Sequence, residues 1–410
     1  MEKSQKVTLF SIITLLGFAF GVIYHYILTF YAHYEGVYSS FLYPSAFAFC
    51  DFFHALPLIK DFKPYQQVGL WVIYFPFTYI FLIPFAFIKN KVLSYSIYIS
   101  GFAAYLIFMN IKMFACKNLG KLQNFQNIFI ITLLSYPVLY CLDKGNFDMY
   151  LFVLLGFWTY TFQREKYGLS AVLLAMINAM KPFTLYFLLF YLIKKRYKEF
   201  TFSILLTAFL IIGCFLIIPD NHTMELSMFI LSVKFYKHVY TAQSYMGMAY
   251  VSSLFMPLKA LMLYISTAPK NIAVFVRIYD YFCQLITIFT LFFVWKEKTF
   301  WKQLTLLICN FLLLPYCTYD YKFIFLFIPI WLFINAKNEK GKSKFDLAYL
   351  LLFALLFIPK NIIIILPLIK GDTTNNWLSL SAIVNPIIMI VLSLLIIFEQ
   401  FYKKEIGNRK

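Results

Sequence analysis

The sequence predicts an all-α integral membrane protein, a polytopic bundle of about 11–13 spanning helices that forms one membrane domain over residues 1–410. The chain is 62% hydrophobic, and its mean hydropathy is +0.75. Only 13% of its residues are charged, whereas soluble domains carry roughly 25%. Apolar runs of about 18 or more residues recur along the chain, and a run of this length crosses a bilayer as a helix.

The basic residues predict the orientation of these helices. The net charge is +18, and lysine and arginine gather in short stretches between the apolar runs, at 89–91, 194–198, 296–302, 337–344 and 403–410. Such clusters mark the cytoplasmic side of a membrane protein. We therefore expect a protein of the inner (plasma) membrane with both termini inside. This distribution of charge gives no support for a nucleic-acid partner.

Twelve apolar runs are interpreted as spans. In chain order they are Val7–Tyr31, Val68–Ile88, Val92–Met109, Asn127–Leu142, Met149–Phe162, Leu169–Ile193, Phe200–Ile218, Ile272–Val294, Leu304–Pro315, Phe323–Ile334, Phe345–Ile358 and Ala382–Phe401. The first is a retained span, because no small-residue cleavage site follows it. The sixth is interrupted at Lys181–Pro182, so it is either two short spans or one kinked helix.

Two longer polar segments are predicted on the outer face. Residues 32–66 form the first outer loop, which we expect to include an amphipathic segment, and residues 219–247 form the second. Asp51 lies in the first of them, between Phe49–Cys50 and Phe52–Phe53. Aromatic neighbours place this carboxylate at the membrane interface, where partial desolvation raises the pKa and favours a proton acceptor. The alternative is a loop aspartate that caps a helix.

Four further polar sites have both a structural and a functional interpretation. The turn 142–148 contains Gly145–Asn146, and its Asp148 either caps the next helix or lines a substrate site. Lys181 either snorkels at a kink or binds a carboxylate or phosphate. His238 is either an ordinary loop residue or a donor to a phosphate or sugar hydroxyl. Tyr319–Lys322 is either an interfacial anchor or part of the same site.

Motifs for metals and nucleotides are absent from the sequence. The chain has no HExxH, Cys/His cluster, EF-hand loop, Walker loop or dinucleotide-binding glycine fingerprint, and its seven cysteines form no CxxC pair. We therefore expect no cofactor and no cytoplasmic nucleotide site. The sequence leaves open whether a divalent ion takes part.

Taken in order, the polar motifs resemble a known family. Asp51–Phe52, Lys63–Pro64–Tyr65, Tyr74–Phe75–Pro76–Phe77, Pro84, Gly145–Asn146, Ala179–Met180–Lys181–Pro182 and Gln243–Ser244 are similar to motifs of the multispan glycosyltransferases of the GT-C superfamily. Among these enzymes the pattern resembles most closely the bacterial polyprenyl-phosphate-dependent α-mannosyltransferases. The motifs span most of the first 250 residues. One departure is Phe77, which stands where the family pattern has a second proline.

The resemblance implies an inverting sugar transfer on the outer face of the membrane. The donor would be mannose or another hexose on a polyprenyl phosphate, and the acceptor a lipid or glycan hydroxyl. Asp51 would be the catalytic base, and Lys181, Lys322 and His238 would stabilise the departing phosphate. The remaining substrate-binding candidates are Gln243, Asn146 and His54, although His54, like Cys50, has no counterpart in the family motifs.

Three alternatives stay open from the sequence. A flippase for lipid-linked oligosaccharides, or another transporter, needs a continuous polar path, but the acidic residues gather near loops. A polysaccharide polymerase or ligase acts on the same face, but such enzymes often carry paired arginines in a large outer loop, and the predicted outer loops contain no arginine. A structural membrane scaffold is the third alternative. It gives no reason for Asp51, Lys181 and Gln243 to meet in one cavity.

Overall fold

The structure is a computed structural model, and it describes residues 1–31, 48–60, 64–65, 69, 73–217, 222–242, 251–265, 268–336, 345–365 and 377–408. Contacts between Cα atoms divide the chain into two compact units. The first unit comprises Met1–Ala46, Ile107–Cys141 and Tyr240–Lys410, and the second comprises Phe47–Leu106 and Leu142–Val239. The sequence predicted one membrane domain, and we describe each unit by itself.

Helices dominate the described part of the chain. In order they are α1 Lys3–Tyr26, α2 Cys50–Lys60, α3 Pro76–Ala86, α4 Lys91–Phe114, α5 Lys121–Leu133, α6 Tyr136–Lys144, α7 Asp148–Gln163, α8 Tyr167–Met180, α9 Leu189–Ile193, α10 Tyr197–Ile217, α11 His222–Ala242, α12 Phe255–Ile265, α13 Pro269–Lys296, α14 Phe300–Leu313, α15 Phe327–Asn335, α16 Asp346–Leu356 and α17 Leu380–Asn408. A π-helical turn, Ile27–Tyr31, extends α1, and 3₁₀ turns, Pro182–Leu188 and Asp320–Leu326, precede α9 and α15. The predicted all-α class is therefore confirmed.

Two short strands are the exception within the described residues. Strand β1, Ile363–Ile365, pairs antiparallel with β2, Trp377–Ser379. They lie in the described parts of the stretch 359–381, which proline, lysine and asparagine interrupt.

Among the described residues, five helices are long and apolar enough to cross a membrane by themselves. They cover Lys3–Tyr31, Lys91–Phe114, Tyr197–Ile217, Lys270–Lys296 and Leu380–Tyr402. Helices α5 and α6 make a sixth span if the 47° bend between them is a break within one span. Seven further apolar helices have 10–17 residues. At about 1.5 Å per residue, each is shorter than the roughly 30 Å of hydrocarbon in a bilayer.

The core of the second unit is built on α8, which packs against both α7 and α10. Trp158 of α7 is fully buried, and its indole N–H donates to the Tyr191 hydroxyl at 3.1 Å. Small residues such as Ala171 and Ala175 lie buried on α8 and let the neighbouring helices approach closely. The expected interruption at Lys181–Pro182 is confirmed, because α8 ends at Met180 and the 3₁₀ turn starts at Pro182.

The core of the first unit is built on α14, which packs against α13, α15 and α17. Its Lys302 forms a buried ion pair with Glu399 of α17 at 2.5 Å. The Tyr349 hydroxyl of α16 donates to the same carboxylate at 2.7 Å. A buried pair needs such additional hydrogen bonds to offset the cost of removing two charges from water. These contacts hold α14, α16 and α17 together.

Both predicted outer loops contain helix. Helix α2 occupies part of residues 32–66, and α11 occupies most of residues 219–247. The polar side chains of 219–247 suggested a loop, but 21 consecutive residues of this segment are helical.

Candidate functional site

Asp51 lies in the first turn of α2, in the second unit. The residue before Cys50, Phe49, has a φ of 57°, which is uncommon for a bulky side chain. The Phe49 N–H donates to the carbonyl of Asp143 at 2.6 Å, and the Phe49 ring lies 4.4 Å from that of Tyr95. These contacts direct the start of α2 toward the turn 142–148.

That turn approaches α2 so closely that it requires glycine. Gly145 has a φ of +63°, and a Cβ there would lie 2.9 Å from the Tyr95 ring and 3.1 Å from Cβ of Phe52. A side chain at this position would therefore strain the backbone and collide with its neighbours. Strained backbone positions cluster at functional sites, and Phe49, a bulky residue with positive φ, lies two residues before Asp51.

Asn146 joins the turn to Asp51. Its side-chain amide donates to Oδ2 of Asp51 at 2.6 Å, and its Oδ1 accepts the backbone N–H of Asp148 at 2.9 Å. Asn146 therefore satisfies an N–H in the first turn of α7. Of the two interpretations of Asp148, the helix cap is not observed in the described part of the chain, because Oδ1 accepts from Lys181 and Oδ2 has no hydrogen-bond partner there.

Lys181 reaches this group from the end of α8. Its backbone is extended, with φ −147° and ψ 119°, as expected for a residue that precedes proline. The ammonium forms an ion pair with Oδ1 of the fully buried Asp148 at 2.7 Å and lies 5.1 Å from the centre of the Tyr74 ring. The Thr78 hydroxyl donates to the carbonyl of Met180 at 3.1 Å and fixes the end of α8. The sequence suggested that Lys181 binds either a carboxylate or a phosphate, and in the structure it pairs with the carboxylate of Asp148.

The environment of Asp51 favours proton uptake. Burial raises the pKa of this carboxyl above its usual range, as its aromatic neighbours predicted. The hydrogen bond from Asn146 opposes this shift most strongly, followed by the positive charge of Lys144, the hydrogen bond from Cys50 and the charge of Lys181. Burial still dominates, so the carboxyl accepts a proton more readily than an exposed aspartate does.

Cys50 and Lys144 also contact this group. The thiol of Cys50 donates to Oδ1 of Asp51 at 3.5 Å, and the ammonium of Lys144 donates to the sulfur at 3.6 Å. Burial, followed by the charge of Asp51, raises the pKa of the Cys50 thiol to about 12, so the thiol stays protonated at neutral pH. Cys50 is therefore a hydrogen-bond donor here and not a nucleophile.

An aromatic cluster surrounds Asp51. The Phe52 ring lies 4.4 Å from that of Tyr98 and 5.4 Å from that of Tyr95. The Tyr150 hydroxyl and the Tyr95 hydroxyl donate to the carbonyls of Tyr98 and Leu142, respectively. These contacts close the apolar side of Asp51 and account for its desolvation.

The structure brings together three of the predicted site residues, namely Asp51, Asn146 and Lys181. His54 lies one turn further along α2 and is exposed, and His238 is exposed on α11. The hydrogen bonds to the Asp51 carboxylate come from Asn146 and Cys50. Lys322 belongs to the other unit, and Gln243 lies outside the described residues.

The sequence analysis missed three participants, Lys144, Tyr74 and Cys50. Lys144 was visible only as part of a polar turn, and Tyr74 only as part of a family motif. Cys50 was given no role, because its hydrogen bond to a lysine 94 residues away has no signal in the sequence.

A second buried carboxylate lies in the first unit. Asp320 accepts hydrogen bonds from Ser252 and, at 3.3 Å, from Asn385. Burial raises its pKa to about 6. Its partners are themselves buried, so this aspartate is enclosed by protein. In the part of the chain that the structure describes, no group of three or more His, Cys, Asp or Glu side chains is arranged to hold a metal ion.

Comparison with known proteins gives one match. The model of glycosyltransferase family 87 matches residues 71–315, which is more than half of the chain. The matched region contains Asn146, Asp148 and Lys181, and it begins 20 residues after Asp51. No curated protein and no solved structure matches the chain significantly.

Proposed function

This chain belongs to glycosyltransferase family 87, and we propose that it transfers a hexose from a polyprenyl phosphate to a hydroxyl of a lipid or glycan acceptor, with Asp51 as the general base. The membership, with the apolar helices, makes the protein an integral membrane glycosyltransferase. The lipid-linked donor and the outer-face location rest on the similarity of motifs such as Asp51–Phe52 and Lys181–Pro182 to those of polyprenyl-phosphate-dependent mannosyltransferases.

One observation carries this proposal. Asp51 and Asn146 are 95 residues apart in sequence, yet the amide holds Oδ2 of the carboxylate at 2.6 Å in an environment that raises the pKa of the acid. A general base needs both a fixed orientation and a pKa close to the working pH. An ionised carboxylate has about four lone-pair sites, and the described donors use two of them, so sites remain for a substrate hydroxyl.

The proposed reaction is an inverting displacement. The acceptor hydroxyl oxygen attacks the anomeric carbon from the face opposite the phosphate, and its proton passes to Asp51. The bond between the anomeric carbon and the phosphate oxygen breaks, and the polyprenyl phosphate leaves with both electrons of that bond. Protonation of Asp51 removes one negative charge from the site as the phosphate gains one, so the sum of charges stays constant.

The departing phosphate requires a cation. Lys181 and Lys144 are the cations close to Asp51, and both act on its carboxylate electrostatically. Lys181 also forms an ion pair with Asp148, and this pair limits how far the ammonium moves. We assign Lys181 to the phosphate because a fixed ammonium stabilises developing charge without reorganisation during the reaction. Lys322, and with less support His238, stay candidates on the resemblance alone.

The test measures transfer of radiolabelled hexose in membranes that express the wild type, Asp51→Asn or Glu165→Gln. Glu165→Gln is the control, because it removes an exposed carboxylate between α7 and α8. Polyprenyl-phosphate hexose is the donor, and a nucleotide hexose serves as the comparison. We expect Asp51→Asn to lose transfer about 10²–10⁴-fold with normal insertion, and Glu165→Gln to match the wild type. Full transfer by Asp51→Asn would refute the role of Asp51. Transfer only from the nucleotide hexose would refute the lipid donor.

A further inference from the structure

Two different donors hold the two oxygens of the Asp51 carboxylate. The Asn146 amide donates to Oδ2 at 2.6 Å, and the Cys50 thiol donates to Oδ1 at 3.5 Å. An amide N–H at this distance is a strong donor, whereas a thiol is a weak one. Oδ1 therefore keeps more of its negative charge than Oδ2 and is the more basic oxygen.

The buried Lys144 contacts the thiol of Cys50. The ammonium of Lys144 donates to Sγ of Cys50 at 3.6 Å, and both side chains are buried. The thiol therefore links Lys144 to Asp51 in a chain of two hydrogen bonds. Within the described part of the chain, Asp51 makes no ion pair with Lys144 or Lys181. A direct pair would lower the pKa of the carboxyl, by about 1–3 units for an aspartate beside a cation, and would weaken the base.

The backbone holds the three groups in this arrangement. Cys50 and Asp51 follow Phe49, and Lys144 precedes Gly145, so each segment carries a residue with positive φ at the contact. The hydrogen bond from the Phe49 N–H to the Asp143 carbonyl, at 2.6 Å, ties the two segments together beside the thiol. The contact between Cys50 and Lys144 is therefore fixed by main-chain geometry on both sides.

We propose that Cys50 is a positioning residue of the transfer reaction, a thiol that orients Oδ1 of Asp51 toward the acceptor hydroxyl and connects the carboxylate to Lys144. The inference rests on the proposed role of Asp51 as the base. The thiol accepts from Lys144 and donates to Asp51, and Oδ1 receives the proton of the acceptor hydroxyl. Cys50 itself neither gains nor loses a proton during the reaction.

Other charged and titratable groups face the carboxylate and set its background pKa. Lys181 lies at the end of α8, Asp148 begins α7, and Tyr74 precedes α3. Asp143 acts on Lys144 from the turn. Substitution of the thiol alters its contacts with Asp51 and with Lys144, so a change in the pH profile of a Cys50 variant reports on these two contacts.

The experiment is the pH profile of kcat/KM for hexose transfer by Cys50→Ala, Cys50→Ser and Cys214→Ala. Loss of the thiol removes a donor to the charged carboxylate, so we expect the acid limb of Cys50→Ala to move up by about 0.5–1 pH unit, with a lower kcat. Serine keeps a donor and should return the limb toward the wild-type position. Cys214 is a buried cysteine of the same unit on α10, and its alanine variant should keep the wild-type profile.

A second variant tests the chain of hydrogen bonds. Lys144→Met should also move the acid limb up, because it removes a positive charge near Asp51. If the thiol connects the two groups, the double variant with Cys50→Ala should shift less than the sum of the single shifts, whereas independent effects would add.

Each outcome decides the inference. A wild-type profile for Cys50→Ala, or a profile of Cys50→Ser that matches alanine, would overturn the positioning role while leaving Asp51 as the base. A downward shift in Cys50→Ala would mean that Lys144 pairs directly with the carboxylate, which contradicts a connecting thiol. Absence of transfer by the wild type, or full transfer by Asp51→Asn, would instead refute the proposed function.

Discussion

Removing Lys181 tests whether the site depends on the ion pair with Asp148. The carboxylate is fully buried, and the lysine side chain is 14% exposed. Lys181→Met leaves the Asp148 charge without its partner, and breaking a buried pair in this way costs about 3–5 kcal/mol. Lys181→Met with Asp148→Asn removes both charges and leaves one neutral polar group, for which a cost of about 1–3 kcal/mol is typical. The double variant should therefore be more stable than the single variant by about 2 kcal/mol.

The free energy of unfolding is measured by titration with SDS in mixed micelles, with the loss of helical circular dichroism as the signal. Asp148→Asn alone should cost less than Lys181→Met, because the partly exposed ammonium regains water. Equal losses for Lys181→Met and the double variant would refute the argument that Asp148 carries a charge that Lys181 neutralises. Transfer activity then separates two roles of the lysine. If Lys181 also binds the phosphate, the double variant stays inactive although its stability returns.

Three further predictions follow from local geometry. Burial raises the pKa of Asp51, and the proposed base is active only when deprotonated. The acid limb of kcat/KM should therefore have its midpoint above about 4, the pKa of a free aspartate. Initial rates measured across a pH series check this. Gly145→Ala should lower the free energy of unfolding by about 1–3 kcal/mol, because residue 145 has a positive φ. The control is Gly168→Ala: a Cβ at residue 168 meets no atom within 4 Å, so the SDS midpoint should stay unchanged or rise. Gly17→Ala should cost about 1–3 kcal/mol in the same assay, because its Cβ would overlap the side chain of Ile358.

The sequence predicted the parts of the site that local chemistry dictates. Proline cannot continue a helix and restricts the residue before it, which is why the break at Lys181–Pro182 was predictable. Aromatic neighbours desolvate a carboxylate, which is why a raised pKa for Asp51 was predictable. Both arguments use residues adjacent in the chain, where sequence reasoning is strongest.

Contacts between distant segments were not predictable in the same way. The sequence left open whether Lys181 binds a carboxylate or a phosphate and did not point to Asp148, because a lysine at a helix break has many available partners. Helix α11 was expected to be a loop, because its polar side chains indicate contact with water and do not distinguish a helix from a loop. The short helices escaped prediction because hydropathy marks an apolar run without showing where its hydrogen-bonded turns end.

Asp51, the proposed base, illustrates how opposing effects set the reactivity of one carboxylate. Burial among Phe52, Tyr95 and their neighbours favours the neutral acid, whereas Asn146, Cys50 and the nearby lysines favour the charged form. If burial acted alone, the acid would stay protonated and would accept no proton. If a lysine paired with it directly, the carboxylate would bind its proton too weakly. Hydrogen bonds from a neutral amide and a neutral thiol fix its orientation while keeping the cations at a distance. This arrangement is why we expect the conservative change from cysteine to serine to preserve the pH profile that alanine disturbs.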